Sequence, residues 1–131
     1  MAGIPESHAD LIGAPHLAHL ATTNKDGSPQ VSPIWLLRDG ETIVFSTTEE
    51  RRTTKNMRRT PTIALSIVDP ENPFRYLELR GPVVIESDPD KRLPPELWQL
   101  YVDQGEFPGD SETRVIVRFT PTHVVAVAPP A

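Results

Sequence analysis

A chain of 131 residues, 37% hydrophobic and 24% charged, has the size and composition of one soluble globular domain, expected to span residues 1–131 with a single core. Zero cysteines exclude disulfides, thiolate metal sites and a cysteine nucleophile, and the apolar runs fall far short of the ~20 residues that cross a bilayer. With no signal-peptide pattern the protein reads as cytoplasmic, and a net charge of −5 argues against general nucleic-acid affinity, which needs a positive field.

From the N-terminus, "SHADLI" (7–12) predicts a short helix and Leu17–Thr23 a strand of apolar and β-branched residues. "NKDG" supplies a turn, with Gly27 able to take positive φ. The run 28–37, "SPQVSPIWLL", alternates only partly and holds Pro29 and Pro33, which cannot donate ladder bonds, so it is expected as an edge or bulged strand. "RDGE" then turns into a strand over Thr42–Ser46, and the two hairpins are expected to form a three-stranded meander. Thr47 with Glu50, and Ser46 with Glu49, have capping-box spacing, which predicts a helix starting directly after that strand and ending at Thr60-Pro61. Next come a strand over Thr62–Val68, the turn "DPENP", and a long strand over Phe74–Glu86 that Gly81-Pro82 interrupts with a bulge or corner. "PPELWQLYVDQ" (94–104) sets Leu97, Leu100 and Tyr101 at helical spacing, and strands over 114–120 and 122–127 finish a mainly β, antiparallel, barrel-like fold.

The chemistry concentrates in "EERRTTKNMRRTP" (49–61), which holds five of the thirteen basic residues. On a helix, Arg51, Lys55 and Arg58 form one stripe, Arg52, Asn56 and Arg59 the next, and Met57 faces inward. Arg58 and Arg59 suit a helix C-terminus. Arg51 and Arg52 sit where the helix dipole disfavours cations, so either a bound anion such as phosphate or the neighbouring Glu49 and Glu50 must offset them. The four histidines show no metal-ligand spacing, and no nucleophile elbow, P-loop or acid–base pair nominates a catalytic residue. Trp35, Phe74 and Tyr76 lie within strands and are expected in the barrel core, with Tyr76 equally suited to a ligand platform.

The order "ATTNKDGSPQVSPIW", "IVFSTTEERRTTKNMRRTP", "VDPENPFRYLELRG" resembles the flavin/deazaflavin oxidoreductase superfamily, whose founding relative is pyridoxamine 5′-phosphate oxidase. More narrowly it is similar to the actinobacterial subgroup that uses the deazaflavin F420, and the likeness covers 17–86 well. The resemblance implies a split β-barrel of six to seven antiparallel strands with two or three short helices, forming a homodimer with cofactor sites at the subunit interface. It sets the backbone of Ser32, Pro33 and Ile34 along the tricyclic ring, and Ser46, Thr47 and Thr48 at the ribityl chain or phosphate. Arg52 takes the phosphate-arginine position, Arg51 and Lys55 extend toward the acidic tail, and Asn56 and Tyr76 complete the expected set. Thr53 departs from the pattern, which commonly has lysine there, and Lys55 lies about 200° around the helix from it, too far to replace that cation. The activity implied is hydride transfer from reduced F420 to an electron-poor double bond of a small acceptor, an enone or quinone. The alternatives are an FMN-dependent enzyme on the same barrel and a noncatalytic flavin or F420 carrier; no metal and no nucleic acid enter the expectation.

Overall fold

Alternation of buried and exposed residues builds the strands of the computed structural model, which describes residues 3–129. A 3-10 helix over Glu6–Leu11 precedes β1 (Ala18–Thr23), β2 (Pro29–Ile34), β3 (Leu37–Asp39) and β4 (Thr42–Thr48). Helix α1 (Arg52–Arg59) follows, then β5 (Thr62–Asp69), β6 (Asn72–Ser87), α2 (Leu93–Tyr101), β7 (Arg114–Phe119) and β8 (His123–Val127). All pairings are antiparallel, in the order β2-β1-β5-β6-β7-β4-β3, with β8 also on β6. The fold is mainly β, and its open sheet is that of a split barrel.

One long strand makes the curvature. The first part of β6 pairs with β5 and β8, and Val83–Ser87 pairs with β7. The corner is at Gly81, where a Cβ would lie 2.1 Å from the Thr120 carbonyl oxygen, so only glycine lets the β7–β8 kink close onto β6. Inside, Leu65 and Ile67 of β5, Leu77 and Leu79 of β6, and Phe45, Val117 and Phe119 form a core that Met57 of α1 and Leu11 of the 3-10 helix complete.

Several expectations change. The run 28–37 is two strands, because Leu36 turns fully into the core and Trp35 stacks on Tyr101, so the described residues form eight strands where six to seven were expected. The meander is absent: β2 stays with β1 at one edge, as its prolines required, while β3 and β4 pair at the other. No capping box forms, since β4 continues through Thr48 and α1 starts at Arg52 with no side-chain cap. Phe74 is 70% exposed and Tyr76 lies on the outer sheet face opposite Val68, so neither is core; Leu100 of α2 is exposed as well. Among the described residues no helix is long and apolar enough to cross a membrane.

Candidate functional site

Helix α1 is fixed by its buried polar side chains. Asn56 donates to Thr22 Oγ1 (3.1 Å) and Asn24 Oδ1 (2.9 Å) and accepts from Arg59 (2.8 Å), tying the helix to β1 and its turn. Thr54 Oγ1 donates to the Thr48 carbonyl at 2.6 Å and lies 3.2 Å from Thr47 Oγ1, which fixes the bend between β4 and α1. Thr47, Thr48 and Asn56 are thus buried parts of the scaffold: the Thr47 and Asn56 side chains and the Thr48 carbonyl hold the helix in place.

The electrostatics of that helix start are unusual. Its first turn has no acidic residue, and the two glutamates that could have offset Arg51 and Arg52 point elsewhere. Glu49 accepts both arms of Arg58, and Glu50 Oε1 accepts the Thr113 N–H at 3.2 Å. The Arg58 hydrogen bond holds the Glu49 carboxyl below its usual range, and backbone N–H donors do the same for Glu50. Arg51, Arg52 and Lys55 form no ion pair among the described residues. Cations without partners at the positive end of a helix dipole favour an anion there.

Two concavities flank this helix start. On one side a basic groove of about 470 Å³ is lined by Arg52, Lys55, Asn56 and Arg59 together with the β1–β2 turn. Asp26 in that turn is occupied by Ser28, which chiefly depresses its carboxyl, with a minor contribution from Arg52. Thr53 Oγ1 accepts from Gln30 at 3.5 Å, so the position where the family pattern has a cation is neutral.

On the other side lies a cavity of about 430 Å³. Pro33, Ile34 and Trp35 form one wall and Ser46 and Arg51 another, while Pro94, Leu97 and Trp98 of α2 and Phe107 face them. Trp35 stacks on Tyr101 (5.3 Å, 7°), and Trp98 meets both Trp35 and Phe107 edge-on at 6.2 and 6.1 Å. The Tyr101 hydroxyl accepts the Leu36 N–H at 3.0 Å and lies 2.9 Å from the Leu36 carbonyl, bracing the break between β2 and β3 beside the cavity. Such a wall suits a planar ring.

Of the residues expected at a site, Pro33, Ile34, Ser46 and Arg51 line the cavity and Arg52, Lys55 and Asn56 the groove. Ser32 is next to the cavity in sequence without lining it, and Tyr76 lies outside both concavities. Sequence reasoning passed over Trp98, Phe107 and Arg114. The available signal was an aromatic in a glycine-bounded loop, "GEFPG", which has little reason to carry Phe107 unless the loop folds back.

No curated protein matches the sequence significantly. An F420 reductase of known structure is 39% identical, with 93% of this chain and 98% of that one covered at a TM-score of 0.86. A conserved hypothetical protein from Mycobacterium tuberculosis (21% identity, 95% and 84% covered, TM-score 0.76) shares the fold. So does General Stress Protein 26 from Bacillus anthracis (16%, 95% and 94%, TM-score 0.71). The family model for pyridoxamine 5′-phosphate oxidase matches residues 4–128, and the chain therefore belongs to that family, within the flavin/deazaflavin oxidoreductase superfamily.

Proposed function

We propose that the protein is an F420-dependent reductase that acts on an electron-poor double bond of a small planar acceptor, such as an enone or quinone. The observation that carries this reading is the meeting of an aromatic cavity and a basic groove at an uncapped helix start whose glutamates are engaged elsewhere. A deazaflavin that joins a tricyclic ring to a phosphate and an acidic tail fits that arrangement. Pro33, Ile34 and Trp35 would hold the ring, the α1 N-terminus the phosphate region, and Arg51, Arg52 and Lys55 the phosphate and tail. The bound cofactor supplies hydride; the protein's part is to orient the ring, exclude water and neutralise the anionic end. The likeness to an F420 reductase favours F420 over FMN.

The same reading makes the protein a homodimer. Val68 and Tyr76 pair on the outer sheet face, with Phe74 exposed two residues before Tyr76, and Val31 is exposed on the same face beyond the His19–Ser66 pair. Pro33, which faces outward opposite His19, belongs to both that face and the cavity wall. A second copy on this face would close the cavity mouth and bring Tyr76 to a site.

Side-by-side titration of F420 and FMN, followed by cofactor fluorescence, tests the proposal. Micromolar or tighter F420 binding is expected, with Arg52→Ala weakening it about tenfold, as loss of a charge-assisted phosphate contact should. Tighter binding of FMN would instead establish the flavin enzyme. Tight F420 binding with no oxidation of the reduced cofactor across a panel of enones and quinones would establish a carrier.

A further inference from the structure

We infer that Arg114 and Ser46 form an oxyanion site inside the aromatic cavity, one that takes the anionic oxygen of a planar conjugated ring. Among the described residues the two charged groups of the cavity lining are both arginines, Arg51 and Arg114, and no carboxylate lines it, although the chain carries a net charge of −5. A cavity this positive in an acidic protein is complementary to an anion.

The donors are specific. Arg114 opens β7, opposite Thr48 and on the same outward face as Ser46 of β4. Its Nε and Nη2 donate to Asp110 Oδ2 at 3.0 and 2.6 Å, and its Nη1 reaches Ser46 Oγ at a long 3.4 Å. A guanidinium has five N–H donors, so two remain after these three contacts. The Ser46 hydroxyl donates to nothing among the described residues. Asp110 does not cancel the site's charge, because it also takes Lys91 at 2.9 Å, leaving two cations to one carboxylate. The Phe107 ring lies over the guanidinium, 5.6 Å from centroid to Cζ, and the side chain is only 17% exposed, so water competes weakly for the spare donors. Trp98 and Phe107 frame the adjoining space for a flat ring.

The inference rests on the proposed reductase reading only for its catalytic meaning. As hydride reaches the β-carbon of an enone, the carbon–carbon π pair moves toward its oxygen, and donors aimed there stabilise the enolate until solvent protonates it. As a binding site it stands alone, and the same chemistry would read an anionic oxygen on the cofactor's ring.

The test is calorimetric titration of the full chain, without added cofactor, with 2-hydroxy-1,4-naphthoquinone, an anion at neutral pH, and with its neutral 2-methoxy counterpart. The anion is expected to bind at least about tenfold more tightly to the wild type. Arg114→Met should erase the preference, whereas Asp110→Asn, which breaks the same tether but keeps the guanidinium, should retain or raise it. Ser46→Ala, with the tether intact, should reduce it about threefold. Equal affinity of the two ligands for the wild type, or equal loss of preference in Arg114→Met and Asp110→Asn, would overturn the site. Repeating the titration with saturating F420 assigns the occupant: a retained preference gives the site to the acceptor, a lost one to the cofactor ring. Failure of F420 to bind would remove the reductase reading and leave the anion preference measurable.

Discussion

At the scale of single residues, Gly81 and Thr53 show how differently two positions can be read. Gly81-Pro82 was legible as a corner, because no side chain and a missing N–H both mark a broken ladder. The severity was not legible, since it comes from the Thr120 carbonyl, 39 positions away, at 2.1 Å from any added Cβ. Gly81→Ala is expected to cost about 3 kcal/mol or more, as overpacking against backbone does, read as a lower urea midpoint. An unchanged midpoint would show that the corner can relax. Thr53 is neutral and half-buried, and its one side-chain hydrogen bond among the described residues is the long one from Gln30, so Thr53→Lys restores the cation common in the family at the loss of that contact alone. It should tighten binding of a phosphate-bearing cofactor by about 0.5–1 kcal/mol, two- to fivefold in Kd, and the gain should shrink with added salt.

Among the elements, α1 was placed almost correctly from its pattern, whereas its start was misread. Ser46, Thr47, Glu49 and Glu50 have capping-box spacing, but β4 gains more by extending its pairing with β7 through Thr48 opposite Arg114. The glutamates then find Arg58, at the far end of the same helix, and the distant Thr113 N–H, neither of which a capping pattern points to. Helix α2 has a comparable hidden anchor: buried Asp88 accepts the Arg92 and Leu93 N–H groups at 2.9 and 3.1 Å. Asp88→Ala leaves those donors unpaired and should cost about 1–3 kcal/mol by thermal or urea unfolding. Because α2 carries Trp98, the same variant should also blunt the tryptophan fluorescence response to ring ligands, and a response equal to wild type would mean that α2 holds its place without the cap.

For the molecule as a whole, acid should loosen the α2–β7 loop first. Asp110 is held at about 2, by Lys91 first and then Arg114, against roughly 4 for a free carboxyl. A depressed carboxyl stabilises the folded loop fully above about pH 4, and that contribution is lost as pH falls toward about 2. Near-ultraviolet circular dichroism of the Trp98–Phe107 cluster is expected to fade over that window, whereas in an Asp110→Asn protein, which has no carboxyl to protonate there, the signal should not change across it. A shift confined to higher pH would point to another group. The proposed dimer is tested at this scale too. Val68→Asp on the exposed sheet face should shift sedimentation from dimer to monomer and weaken F420 binding with it, whereas a wild-type monomer would remove the second copy from the site. By itself the sequence determined most of the strands, the inward Met57, the reading of 28–37 as an edge or bulged strand and the family, because period-two alternation, proline and glycine act locally and three motifs stand in register. Only the tertiary structure decided that β2 and β3 part company, that the basic helix divides a groove from a cavity, and that Arg114 faces Ser46. Those outcomes depend on which distant strands pair and where their side chains find partners, and the chain acquires that information only when its core closes.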